Sequence, residues 1–199
     1  MLNAFRRLFR KSVPLADQLR VLAECGITLN PGVTVKQKEF ESKPYITLLC
    51  AMGSVVESPA ETRDYEYASD SIWHFDSECI EDHGAYVSIV SRLCALAKAD
   101  LPLADPEDFV DIERGEDWVS FTLDGYRHRW VMEVQDDWVD PSIFSRLSEL
   151  LRLRSESRRF TYIDLRGQDC LIGCATDEQR RKLQVATGIE VQWLHEGAI

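Results

Sequence analysis

Apolar positions along the chain change their spacing several times, and each change marks an element. Leu15, Leu19 and Leu22 share a helical face after Ser12-Val13-Pro14, and Gly26 stands where the cap after a helix belongs. Asn30-Pro31-Gly32 reads as a turn. Residues 45–51, YITLLCA, are a short unbroken apolar run that suits a buried strand. Residues 53–70 are polar and read as loop, and residues 71–76, SIWHFD, read as a strand. Over residues 84–98 the stripe Tyr86, Val90, Leu93 and Ala97, with Ile89 beside it, predicts a helix. Leu101-Pro102 and Asp105-Pro106 then stop that helix and predict a loop.

The second half is punctuated by sharper local signals. Asp124-Gly125 lies between alternating apolar runs, the pattern of a two-residue hairpin turn. That turn sets Leu123 opposite Tyr126, Phe121 opposite His128 and Val119 opposite Trp130, all on one side of the sheet. Asp140-Pro141 predicts a helix start, and Ile143, Phe144, Leu147, Leu150 and Leu151 give it an apolar stripe through residue 154. Gly167-Gln168 reads as a second hairpin turn that would pair Arg166 with Asp169, Leu165 with Cys170 and Ile163 with Ile172. Thr176 and Gln179 form a capping box for a helix over 177–187, Gly188 ends it, and residues 190–194 can form a last strand.

Together these elements predict an α+β fold: mostly antiparallel sheet built from hairpins, with helices packed on one face. The order strand–strand–helix recurs about three times, over 45–98, 117–154 and 160–187. Residues 1–199 read as a single globular domain or two tightly packed subdomains, with 101–106 the candidate boundary.

Charge sharpens the picture. The chain carries 23 Lys+Arg against 34 Asp+Glu, a formal net charge of −11 over 199 residues. Residues 57–82 hold nine acids and one base, and residues 99–141 hold thirteen acids and three bases. Residues 142–182 reverse the balance, with nine bases and six acids. An acidic field repels phosphates, which argues against nucleic acid unless the basic stretch forms a face of its own. Residues 1–11 place Leu2, Phe5, Leu8 and Phe9 at helical spacing among four basic side chains. Docking of that segment on its own domain is favoured over contact with a membrane. Six cysteines with no secretory apolar segment at the N-terminus fit a cytoplasmic protein with reduced thiols.

Four constellations could carry chemistry. His74, Asp76 and Glu78 share a strand face, and with Asp82 and His83 they offer metal-ligand types, although no known metal-ligand spacing appears. Cys170 and Cys174 read as core thiols, because in a strand they lie too far apart to share a metal or a disulfide. Cys79 lies near His74 and His83 in sequence, but nothing orients a thiolate beside a base, and no nucleophile elbow or phosphate-binding loop is present. Asp136-Asp137-Trp138-Val139-Asp140 surrounds an indole with carboxylates, the ingredients of a contact with a basic protein. Glu107, Asp108, Asp111, Glu113, Glu116 and Asp117 extend that field. The competing view packs Trp138 into the core ahead of Pro141.

The sequence therefore points to a non-catalytic, acidic protein-binding domain with no cofactor. Its partner-binding residues would be Asp136, Asp137, Trp138, Asp140, Glu113, Glu116 and Asp117. One concrete form is an immunity-type inhibitor that masks a basic toxin. The alternative is a metal-dependent hydrolase using His74, Asp76 and His83.

Overall fold

The computed structural model describes residues 12–35, 40, 43–56, 66–195 and 197. The basic segment 1–11 lies outside them. The elements run α1 (Leu15–Glu24), α2 (Ile46–Gly53), β1 (Ile72–Asp76), α3 (Ala85–Ala97), β2 (Leu103–Phe109), β3 (Asp117–Leu123), β4 (Tyr126–Met132), α4 (Ser142–Arg154), β5 (Arg158–Asp164), β6 (Asp169–Thr176), α5 (Asp177–Thr187) and β7 (Gln192–Trp193). Every strand pairing is antiparallel, in a four-stranded sheet of order β1-β6-β5-β7 and a three-stranded sheet of order β2-β3-β4. This is the α+β class that the hydrophobic spacing implies.

Local chemistry explains the elements that match it. The β3–β4 hairpin closes on Asp124 (φ 49°) and Gly125 (φ 79°), and it pairs Val119 with Trp130, Phe121 with His128 and Leu123 with Tyr126. Two consecutive left-handed residues give a turn whose twist matches the strands it joins. At the start of α5, Thr176 and Gln179 exchange hydrogen bonds as a full capping box. Asp140 accepts the Ser142 N–H at 2.8 Å and caps α4, with Pro141 in helical backbone after it.

Four expectations need correcting. Residues 45–51 are not a strand: Ile46–Gly53 is helix α2. The run is apolar on every side, so spacing alone does not separate a short strand from a buried helical turn. Residues 101–106 are not a loop, since strand β2 begins at Leu103 and pairs with β3. The register shifts between Ala104 and Glu107, so Pro106 sits at a bulge on an edge strand, where a missing N–H breaks no ladder. The β5–β6 hairpin is one residue out of the expected register: Ile163 faces Leu171, and Tyr162 faces Ile172. Its connection is longer than two residues and turns through Arg166 (φ 65°) and Gly167 (φ 141°). The triplet order is strand–strand–helix in β3-β4-α4 and β5-β6-α5, but the earliest triplet is the helix–strand–helix α2-β1-α3.

The four-stranded sheet buries both faces. On one face Trp73, Phe75, Phe160, Cys170 and Ile172 join a core completed by α3, α4 and the inner side of the three-stranded sheet. On the other, Ile72, Ile163 and Leu171 pack with Leu22 of α1, Leu48, Leu49 and Met52 of α2, and Leu183 of α5. The three-stranded sheet offers Val119, Phe121 and Leu123 to the first core. Helix α2 lies so close to β1 that a Cβ on Gly53 would fall 2.4 Å from the His74 amide nitrogen and 2.8 Å from the Trp73 carbonyl carbon. Backbone cannot yield as a side-chain tip can, so Gly53→Ala is expected to destabilise the fold by about 2–3 kcal/mol. Urea unfolding measures this, and an unchanged midpoint would contradict the close approach.

Candidate functional site

Two chain segments leave the two sheets and meet. Residues 77–80 follow β1, and residues 135–140 follow β4. The Val139 N–H donates to the Ser77 carbonyl at 2.9 Å, and the Ile80 N–H donates to the Asp137 carbonyl at 2.8 Å. Glu78 and Trp138 form the antiparallel bridge between those bonds. Side chains alternate along extended backbone, so Ser77 and Val139 turn inward and are buried while Glu78 and Trp138 turn outward. Trp138 is 43% exposed, one of the large apolar side chains left in water. The Trp138 N–H donates to the Gln135 carbonyl at 3.1 Å, and Asp136 takes φ 58° to make that tight turn. The indole is therefore held outward by backbone bonds on both sides rather than packed into the core.

The third acidic segment arrives at the same end of the three-stranded sheet. Asp117, the first residue of β3, pairs with Met132, the last of β4, so the turn 111–116 sits beside the exit toward Trp138. Asp111 and Glu116 close that turn with reciprocal backbone hydrogen bonds of 3.2 and 3.1 Å. Glu113 and Glu116 are exposed. His83 links this turn to the segment after β1: its Nδ1 accepts the Val110 N–H at 3.0 Å, and its ring lies 5.0 Å from that of Phe109. Glu78, Glu81, Asp82, Glu113, Glu116, Asp136 and Asp137 thus share one end of the molecule. Arg114 is the basic residue within these segments, and it pairs with Asp111 at 3.5 Å.

Not every carboxylate in the expected set faces a partner. Asp140 is buried, and it accepts the Glu133 and Ser142 N–H groups at 2.8 Å each. Asp117 is buried as well; one of its oxygens accepts the Asp111 N–H at 3.0 Å, and the other has no hydrogen-bond partner among the described residues. Both carboxylates shape the loops that carry the exposed acids and are corrected from contact residues to supports. Asp108 has a similar role that the sequence did not reveal. From β2 it accepts the Gly84 and Val87 N–H groups at 2.7 and 2.9 Å and caps α3 from a distance. No local motif announces a cap that comes from another element.

The metal-ligand alternative does not assemble. His74 Nε2 lies 3.4 Å from Asp169, Asp76 bonds to the Glu78 N–H and the Gln168 amide, and His83 is turned toward Val110. Among the described residues, no three His, Cys, Asp or Glu side chains are grouped to hold a metal ion. Ser54 Oγ lies 3.4 Å from His74 Nδ1, and His74 Nε2 lies 3.4 Å from the Asp169 carboxylate. The Ser54 hydroxyl, however, donates to the Cys50 carbonyl at 2.7 Å. It stands at the C-terminal cap of α2, where backbone carbonyls would repel a developing oxyanion. Burial, with Asp76, Glu81 and Asp137 nearby, pushes the Cys79 thiol up to about 11, so it is not a thiolate at neutral pH. Burial likewise raises the Cys170 thiol to about 12, and all six cysteines are free of disulfides.

Comparison with known protein families, with curated proteins and with solved structures finds no match.

Burial, reinforced by Asp108 and Asp111, holds the Asp117 carboxyl above the usual carboxylate range, against the opposing hydrogen bond from the Asp111 N–H. The folded state then binds a proton at Asp117 more tightly than the unfolded chain does. Its contribution to stability falls as pH rises from the unfolded value near 3.9 through the folded value. Asp117→Asn keeps the acceptor and removes the charge. Its stability relative to wild type is expected to rise between about pH 3 and about pH 7. Urea unfolding across that range tests this, and a constant or reversed gap would contradict it.

Proposed function

We propose that this chain is a non-catalytic protein-binding domain whose acidic end engages a basic protein, with Trp138 as the anchor. The single observation that supports the reading most is the placement of Trp138: an outward indole bridged to Glu78 and next in the chain to Asp136 and Asp137. Carboxylates of one sign steer a cationic partner to the surface, and a half-exposed indole gives the contact its apolar area. The contact residues are Asp136, Asp137, Trp138, Glu113 and Glu116. Glu78 joins them because it stands opposite Trp138.

The basic stretch 142–182 gives no competing reason to invoke nucleic acid, because much of its charge is already paired within the fold. Arg152 pairs with Glu149, Arg154 with Asp124, Arg158 with Asp100, and Arg180 and Arg181 with Asp177. Among the described residues, no helix is long and apolar enough to cross a membrane. A cytoplasmic setting with reduced thiols is part of the proposal. So is the specific form of an immunity-type inhibitor, in which the acidic end covers the cationic surface of a toxin.

The test is capture of partners from lysate at low and high salt with wild-type chain, Trp138→Ala and the double variant Glu113→Lys, Glu116→Lys. A specific cationic partner is expected to bind wild type. Its affinity should fall at least tenfold with Trp138→Ala, about 1.4 kcal/mol or more. The double variant should lower the association rate and flatten the salt dependence. A partner retained equally by all three chains, or insensitive to salt, would contradict the assignment.

A further inference from the structure

The free edges of the two sheets are not alike. Strand β2 is interrupted by the bulge at Pro106, β7 is two residues long, and β1 is crowded by α2 at the His74 amide. Strand β4 is the exception: its seven residues, Tyr126–Met132, run without a bulge and pair on one side only, with β3. The two-residue turn at Asp124-Gly125 makes Leu123 and Tyr126 a hydrogen-bonded pair, so the N–H and C=O groups of Arg127, Arg129 and Val131 point away from β3. Among the described residues these outward backbone groups have one partner, the Arg146 guanidinium of α4, which donates to the Val131 carbonyl across 3.4 Å. Val131 is 74% exposed, and Arg127 and Arg129 are exposed beside it. Charge at this edge is unmatched too. The Arg129 guanidinium lies 3.6 Å from the Trp118 ring centre and that of Arg146 lies 5.6 Å from the Trp130 ring centre, and neither arginine forms an ion pair among the described residues.

We infer that the β4 edge receives an extended acidic segment of another protein, which adds antiparallel to β4 as a further strand of the three-stranded sheet. The main-chain groups of Arg127, Arg129 and Val131 supply the affinity, and the side chains beside them supply the choice of segment. An N–H of the added strand displaces Arg146 from the Val131 carbonyl, because a ladder bond is shorter and better aligned. Side chains of the added strand alternate between the two faces. The one opposite Trp130 emerges on the α4 side, next to the released Arg146, and the one opposite Arg129 emerges on the outer face. Carboxylates at these two positions match the two unpaired cations, and an apolar residue matches Val131. A second copy of this chain fits the edge less well. Two-fold pairing of β4 with itself about Arg127 or Arg129 sets an arginine directly against its own counterpart, which is destabilising. Pairing about Val131 carries the second strand across Glu133, whose N–H is already taken by Asp140 at 2.8 Å. The inference is independent of the acidic-end reading, since this edge carries the opposite charge and does not involve Trp138.

The experiment uses the full chain and a blocked peptide, Thr-Val-Glu-Glu-Thr-Val-Thr, followed through the backbone amide resonances of the protein. Antiparallel addition sets its first Val opposite Val131, its first Glu opposite Trp130 and its second Glu opposite Arg129. The amides of Arg127, Arg129 and Val131 are expected to shift saturably with peptide and to exchange more slowly with solvent. Methylating the main-chain nitrogen of the second Glu removes the N–H that meets the Arg129 carbonyl and should weaken binding about tenfold or more. Methylating that of the first Glu, whose N–H points away from β4, should leave binding in place. Replacing both Glu by Gln should weaken binding about fivefold, and replacing both by Lys should weaken it further. Arg146→Gln, with its melting temperature checked against wild type, should remove most of the difference between the Glu and Gln peptides. A peptide that shifts none of these amides, two methylated forms that bind alike, or a Lys peptide that binds as well as the Glu peptide would each overturn the proposal. So would protection of the same amides that rises with protein concentration in the absence of peptide, the signature of a second copy on this edge.

Discussion

Two backbone hydrogen bonds, Val139 to Ser77 and Ile80 to Asp137, tie the exit of one sheet to the exit of the other. They decide which side chains of the joined segments face the core. Because extended backbone alternates, a register that buries Ser77 and Val139 must expose Glu78 and Trp138. The same pairing brings Asp136 and Asp137 next to Glu78 and Glu81, although more than fifty positions separate them in the chain. The charge at this end is a consequence of how the sheets are joined, and the indole at its centre is held by backbone rather than left loose.

The rest of the fold supplies a rigid platform. With both faces covered, the four-stranded sheet is the layer that the two cores share, so β1 is fixed from either side before it reaches Asp76. Carboxylates, two of them buried, then set the loops. Asp108 fixes the start of α3, Asp117 fixes the turn 111–116, and Asp140 fixes the start of α4 together with Glu133. Each accepts at least one backbone N–H from the loop or helix start that it holds. Of the acids that looked alike in sequence, some hold the surface in shape and others are displayed on it.

What was legible in the sequence follows the range of the interaction responsible. The Asp124-Gly125 hairpin, the Thr176–Gln179 capping box and the Asp140 cap are settled within a few residues, and each appears where its local signal stands. The helix at 46–53, the strand through Pro106 and the register of the β5–β6 hairpin are decided by packing against distant elements. The candidate site divides the same way. From residue types alone, Trp138 and the acids beside it read equally as contact chemistry or as a core indole with capping acids. That Asp117 and Asp140 are buried, and that Glu78 rather than a farther acid faces the indole, depends on pairings no local pattern encodes.

The account stands most directly on Trp138 being both accessible in the free chain and covered in the bound one. Hydroxyl-radical footprinting measures both states for all five tryptophans at once, with an arginine-rich peptide as the ligand. Trp138 should be readily oxidised in the free chain and protected on binding, while Trp118 and Trp193 keep their free-chain reactivity. A Trp138 that resists oxidation without ligand, or that stays reactive while a different face becomes protected, would contradict the account.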